Sequence, residues 1–160
     1  MEPKIGLSES SRTQVSRILN TLLADEYVLY TETRSCHWNV VGPRFNDLHK
    51  FFETQYTDLN IVVDDVAERA RELGGWAVAT LSEMAKGARL KERTGDPPDA
   101  RGMLANLLAD HEAIVRSLRV DADACADEHH DMGTNDFLVG LMEQHEKMAW
   151  MLRSFLEGRQ

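Results

Sequence analysis

From Val15 onward the apolar residues recur as Val15, Ile18, Leu19, Leu22, Leu23 and Tyr30, the spacing of one face of an α-helix. Ser8, Ser10 and Ser11 offer side-chain oxygens that cap the free amides of a helix start. The spacing therefore predicts a first helix over about residues 10–37, broken by Val41-Gly42-Pro43. A second helical pattern runs from about 46 to 73 through Leu48, Phe52, Leu59, Val62, Val63 and Val66, with Gly74-Gly75 as its stop. A third, about 99–126, carries Leu104, Leu107, Leu108, His111, Val115 and Leu118. A fourth begins at Thr134 or Asn135, carries Leu138, Leu141, Met142, His145, Leu152 and Leu156, and ends at Gly158. No alternation of apolar and polar residues is long enough for a strand, so the fold class is all-α.

The segment between the second and third helices decides the topology. Residues 76–98 contain a short helical stretch, Thr80 to Lys86, and then the loop Gly95-Asp96-Pro97-Pro98. Antiparallel neighbours in a bundle need only about 2–8 linking residues. A chain returning along a bundle of about 40 Å needs on the order of 12 extended residues. The linker is long enough for that return. It predicts two antiparallel helix pairs joined by one long crossover that carries a short extra helix. The chain divides into an N-terminal tail (1–11), one domain (12–157) and a C-terminal end (158–160).

Composition narrows the function. The 160 residues are 42% hydrophobic and 28% charged, the balance of an ordinary globular domain. Lys and Arg number 18 against 27 Asp and Glu, a net charge of -9. That balance disfavours a protein whose main business is neutralising nucleic-acid phosphate, and it suits attraction of cations. No apolar run approaches the roughly 20 residues that span a bilayer, so no membrane partner is expected. The stretch from Met1 to Ser11 has one Lys and no apolar core, unlike a secretion signal. Cys36 and Cys125 stand far apart with no CxxC, which argues against a disulfide framework and for a cytoplasmic location, with nucleoid association as the variant.

The candidate chemistry gathers on the first two helices. Asp64 and Glu68 lie four apart, hence on one helix face, as do His49 and Glu53. His37 closes the first helix. Imidazoles with carboxylates make a mixed N/O donor set suited to divalent iron, zinc, manganese or cobalt. Acidic pairs on a helix also serve as an ordinary solvated face. Spacing separates the donors: His49 and Asp64 are about 22 Å apart along one helix axis. His37 is at the His49 end, because the intervening turn is short. One subunit cannot bring both histidines and the acidic pair to a common ion, whereas a second copy running antiparallel across a two-fold axis could. The di-iron centre built inside one bundle needs Glu-x-x-His twice, and no Glu in this chain is followed three residues later by His.

The run Ser35-Cys36-His37-Trp38-Asn39-Val40-Val41-Gly42-Pro43-Arg44-Phe45, continuing through Leu48-His49 to Asp64-Asp65-Val66-Ala67-Glu68-Arg69, resembles the Dps family, the mini-ferritins named for DNA protection during starvation. Gly133-Thr134-Asn135-Asp136 and His145-Glu146-Lys147-Met148-Ala149-Trp150 agree with it. The resemblance spans about residues 12–157. It implies a ferritin-like four-helix bundle assembled from two-fold dimers into a hollow homododecamer. It also implies oxidation of ferrous iron, preferably by hydrogen peroxide, with ferric mineral stored inside. The ligands it implies are His37 and His49 from one subunit with Asp64 and Glu68 from the partner. The remaining ligand position, often Asp in the family, holds Glu53, one methylene longer. Zinc or another divalent ion would suit the same donors. Trp38 matches the family's tryptophan beside the site, and a core or interface tryptophan is its alternative reading.

The resemblance also implies acid-lined three-fold pores, to which Asp131 and Asp136 correspond. Asp136 serves equally well as an acid at the positive end of the fourth helix, and Asp131 as a loop acid. His129 and His130 adjoin this turn and could take up metal opportunistically. His111 and His145 fall on apolar stripes and read as core histidines. Some family members bind DNA through basic tails, but Lys4 and Arg12 here are offset by Glu2 and Glu9, and the chain ends Glu157-Gly158-Arg159-Gln160. DNA binding is therefore expected to be weak or absent. The alternative function is a DNA-compacting nucleoid shell with little iron oxidation.

Overall fold

The computed structural model describes residues 2–157; Met1 and the expected C-terminal end, 158–160, lie outside the described residues. The element order is α1 (Glu9–Asn39), α2 (Phe45–Glu72), α3 (Leu81–Gly87), α4 (Ala100–Asp127) and α5 (Met132–Glu157), with no strand among the described residues. The all-α expectation holds. α1 packs along α2 and α4 along α5, while α3 lies against α1. No described helix is long and apolar enough to cross a membrane.

Local chemistry explains where the helices start. Ser8 caps α1 by accepting from the Ser11 amide at 3.0 Å, and Asp99 caps α4 by accepting from the Gly102 amide at 2.7 Å. Thr80 and Glu83 form a reciprocal capping box at α3. α5 begins at Met132, earlier than the apolar pattern suggested, because Asp131 accepts from the Thr134 amide at 2.9 Å. Glu9, Ser10 and Ser11 belong to α1 rather than to a tail. Arg12 is buried, donating to Glu2 and to the Leu73 carbonyl, and so holds residues 2–8 against the end of α2.

The apolar faces meet in one core, with Leu19, Leu22, Leu23, Leu29, Phe52, Leu59, Leu107, Ile114, Leu118, Leu138 and Leu152 all excluded from solvent. Residues 73–99 form the crossover, and two arginines pin it across the bundle. The backbone amides of Arg89 and Leu90 donate to Asp25 Oδ1 at 2.6 and 3.0 Å, and Arg89 Nε donates to Asp25 Oδ2 at 2.7 Å. Arg89 also reaches Asp121 at 2.9 Å. Arg93 holds Asp110 with two nitrogens, at 2.5 and 2.8 Å, and its amide donates to Glu32 at 2.8 Å. Ionic pairs with this fork geometry fix orientation as well as charge. The long connection is thereby tied to α1 and α4.

Candidate metal centre

The short turn from Val40 to Arg44 brings the last turn of α1 against the first turns of α2. Gly42, with φ of 110°, supplies the left-handed step that reverses the chain there. As a result the His37 and His49 rings stack, their centroids 3.8 Å apart and their planes inclined by 20°. Each ring is tied to the other residue's backbone: His37 Nδ1 donates to the His49 carbonyl at 2.8 Å, and His49 Nδ1 donates to the His37 carbonyl at 2.9 Å. A carbonyl oxygen only accepts, so both Nδ1 atoms must carry hydrogen. Each neutral ring then keeps its lone pair on Nε2, the tautomer that a metal-binding histidine needs and that a backbone carbonyl commonly fixes. His37 is buried and His49 half-buried.

Aromatic neighbours hold the two rings from either side. Phe45 stacks on His49 at 5.0 Å, and Tyr56 meets His37 edge-on at 5.2 Å. Arg34, one turn before His37, lays its guanidinium over Tyr30, Trp38 and Tyr56 at 5.6, 4.9 and 5.2 Å, and donates to the Tyr30 hydroxyl. Trp38 is 62% exposed, so it is no core residue of this subunit and keeps the site-edge and interface readings.

The carboxylates stand elsewhere. Glu53, one turn beyond His49, is exposed and makes no ion pair among the described residues. The same holds for Asp64 and Glu68, which project from the far half of α2. α2 is one helix from Phe45 to Glu72, so the axial rise of about 22 Å between His49 and Asp64 stands. Among the described residues no group of three His, Cys, Asp or Glu side chains within the subunit converges on one metal position. The structure thus brings the histidine pair together and leaves the acidic pair free on a separate part of the surface.

Asp131, expected at a three-fold pore, is engaged within its own subunit. Its carboxylate is buried and committed: it accepts from the Thr134 amide at 2.9 Å and the Thr134 hydroxyl at 2.6 Å, and it lies 3.4 Å from Arg69 Nη2. It is a helix cap with an arginine counter-ion. Asp136 is exposed on the first turns of α5. His130 has φ of 56° in the α4–α5 turn.

His111 and His145 are fully buried, as the apolar stripes implied, but they are not ordinary core residues. Their Nδ1 atoms face each other at 2.9 Å, and His145 Nε2 lies 2.9 Å from Glu26 Oε1 on α1. Burial, followed by repulsion from His145, pushes His111 well below the usual histidine range. The two partners lie on opposite nitrogens of His145, so the three groups form a line rather than a metal cradle. Sequence reasoning missed Glu26, although its position between Leu22, Leu23 and Leu29 on the core-facing stripe was the available signal.

Comparison with known proteins gives a consistent picture. The family model for a ferritin-like domain matches residues 17–159. An uncharacterized low temperature-induced protein of Nostoc sp. is 49% identical over 155 residues, covering 97% of this chain and 87% of that one. The DNA protection during starvation protein of Brevibacillus brevis is 38% identical over 151 residues, covering 94% and 100%. Among solved structures, the Dps protein of Vibrio cholerae, described as a member of a broad superfamily of ferritin-like diiron-carboxylate proteins, superposes with a TM-score of 0.91. It is 33% identical, and the match covers 98% of this chain and 97% of that one.

Proposed function

The chain belongs to the Dps family of ferritin-like proteins, and from that premise we propose that it is an iron-storing ferroxidase. In this reading it oxidises ferrous iron, preferably with hydrogen peroxide, at sites shared between two subunits. Ferric product is kept inside a hollow homododecamer, and the cell and its DNA are spared oxidative damage. The observation that carries the reading is the reciprocal tie between His37 and His49, which commits both Nδ1 hydrogens and leaves two Nε2 lone pairs for a soft-to-borderline divalent ion.

The remaining donors come from the partner. Asp64 and Glu68 are exposed and unpaired among the described residues, and a partner α2 running antiparallel across a two-fold axis would carry them to the partner's histidine pair. Self-complementarity makes two such sites per dimer. Glu53 supplies a further carboxylate one turn from His49. These carboxylates favour the higher-charged ferric ion over the ferrous one, and partial exclusion of water at the interface strengthens that preference. Two ferrous ions give one electron each to one peroxide, which takes two protons and leaves as two waters, so no hydroxyl radical is released. Asp136 is the exposed acid proposed to help admit iron; zinc or another divalent ion would compete for the same donors.

The test is rapid-mix oxidation of ferrous iron by peroxide, with dioxygen in parallel, followed by ferric absorbance. His37→Gly with His49→Gly is expected to abolish the fast peroxide phase while size-exclusion chromatography still finds the shell. A double variant as fast as wild type would remove the assignment.

A further inference from the structure

A second site lies at the opposite end of α1 from the histidine pair. A cleft of about 530 Å³ opens between the start of α1 and the turn that follows α2, lined by Arg12, Ser16, Arg17, Asn20, Gly75 and Trp76. That volume falls in the range of small-molecule sites, roughly 300–1,000 Å³. Trp76 is 81% exposed yet firmly held. Asn20 Nδ2 donates to the Trp76 carbonyl at 2.8 Å, and the Val78 amide donates back to Asn20 Oδ1 at 2.9 Å. Arg71 lies 4.2 Å over the indole and donates to the Gly75 carbonyl at 2.5 Å. Arg71 does not line the cleft, and it covers only one face of the ring.

The cleft also has a free charged group. Arg17 is exposed at the mouth, engaged only by Gln14 at 3.4 Å. Glu2 and Glu9 also line the cleft, which disfavours a polyanion and favours a ligand with a single anionic group. A rigid indole face beside a free guanidinium matches one ligand chemistry.

We propose that this cleft binds a planar aromatic ring bearing one anionic group, of the size of a nucleoside monophosphate. The ring stacks on Trp76 and the anion pairs with Arg17. The proposal is independent of the iron chemistry, because none of its residues belongs to the histidine or acidic pairs.

The experiment is equilibrium dialysis of adenosine monophosphate against the assembled full-length protein, with adenosine and inorganic phosphate as separate competitors. Saturable uptake is expected, weakened about tenfold in Trp76→Ala and about fivefold in Arg17→Gln, values typical of one lost stack and one lost charge-assisted pair. Adenosine should compete at least about tenfold less well than the monophosphate, and phosphate should not displace it. Peroxide-driven iron oxidation and shell size should be unchanged in both variants, which shows that they fold. No saturable uptake by wild type, uptake unaltered in Trp76→Ala, or equal displacement by phosphate alone would each overturn the proposal. The last result would identify a simple anion site, and the first a cleft filled by the chain's own or a neighbouring segment.

Discussion

Glu26 Oε1 on α1 stands 2.9 Å from His145 Nε2 on α5, with neither side chain reaching solvent. A buried carboxylate has few ways to be tolerated, and here the imidazole is the partner that permits it. Removing one member should therefore cost far more than removing both. His145→Leu is expected to lose about 3–5 kcal/mol, while Glu26→Leu combined with His145→Leu should recover much of that loss. Urea unfolding of the four members of the cycle measures it, and equal losses in the single and double variants would show that the pair is not coupled.

Acid should weaken the fold through His111. Its folded pKa lies below the unfolded value of 6.5, because burial, and after it repulsion from His145, opposes a positive charge on the ring. The unfolded state thus binds more protons below pH 6.5, so this contribution to stability is complete above that pH and is lost as pH falls towards the folded pKa. The expected slope from this residue approaches about 1.4 kcal/mol per pH unit. Melting between pH 7.5 and 5 in wild type and His111→Phe reads it, and an unchanged slope in the variant would assign the acid sensitivity to other groups.

Both cysteines should be chemically quiet. Burial, the largest influence on each, pushes the Cys36 and Cys125 thiols up to about 12, with the nearby carboxylates of Glu32 and Asp131 adding to it. The thiolate is the reactive form, so iodoacetamide at pH 8 should leave the native protein unlabelled and label both positions in urea. Prompt native labelling at either residue would contradict the burial described for it.

The arrangement of the N-terminal residues bears on DNA. Arg12, one of the two basic residues in the first twelve, is spent on Glu2 and the Leu73 carbonyl. That leaves Lys4 against Glu9 on a chain of net charge -9. Counterion release needs clustered cations, so plasmid should run unshifted with the protein at about 0.15 M salt. Retention in the gel would mean that repeated display on a shell makes up for weak single contacts.

Much of this architecture could be read from periodicity. Heptad-like apolar spacing on four helices, two glycine-bearing stops and an over-long linker were sufficient for the bundle and its crossover. The histidine ends and the acidic ends were also legible, since residue separation on one straight helix is a distance. What escaped the reading depends on partners far away in sequence. Asp25 and Glu26 are two such residues. Only the folded chain shows that one gathers the amides of Arg89 and Leu90 and the other meets His145. Asp131 was legible as an acid near a turn but not as a cap, because capping depends on the direction of its carboxylate towards the Thr134 amide. Trp38 was ambiguous for the same reason, as its exposure is decided by neighbours that spacing does not identify.

The crossed bonds between the two stacked imidazoles and each other's carbonyls have one more implication. They can form together only when α1 and α2 are aligned at the positions seen here, since sliding either helix by a single residue would break both. The hairpin's alignment and the ion-holding capacity proposed for it would thus be the same property. A subunit folded out of step would arrive already disarmed, and the proposed shell would have no loaded but misassembled corner from which to leak oxidant.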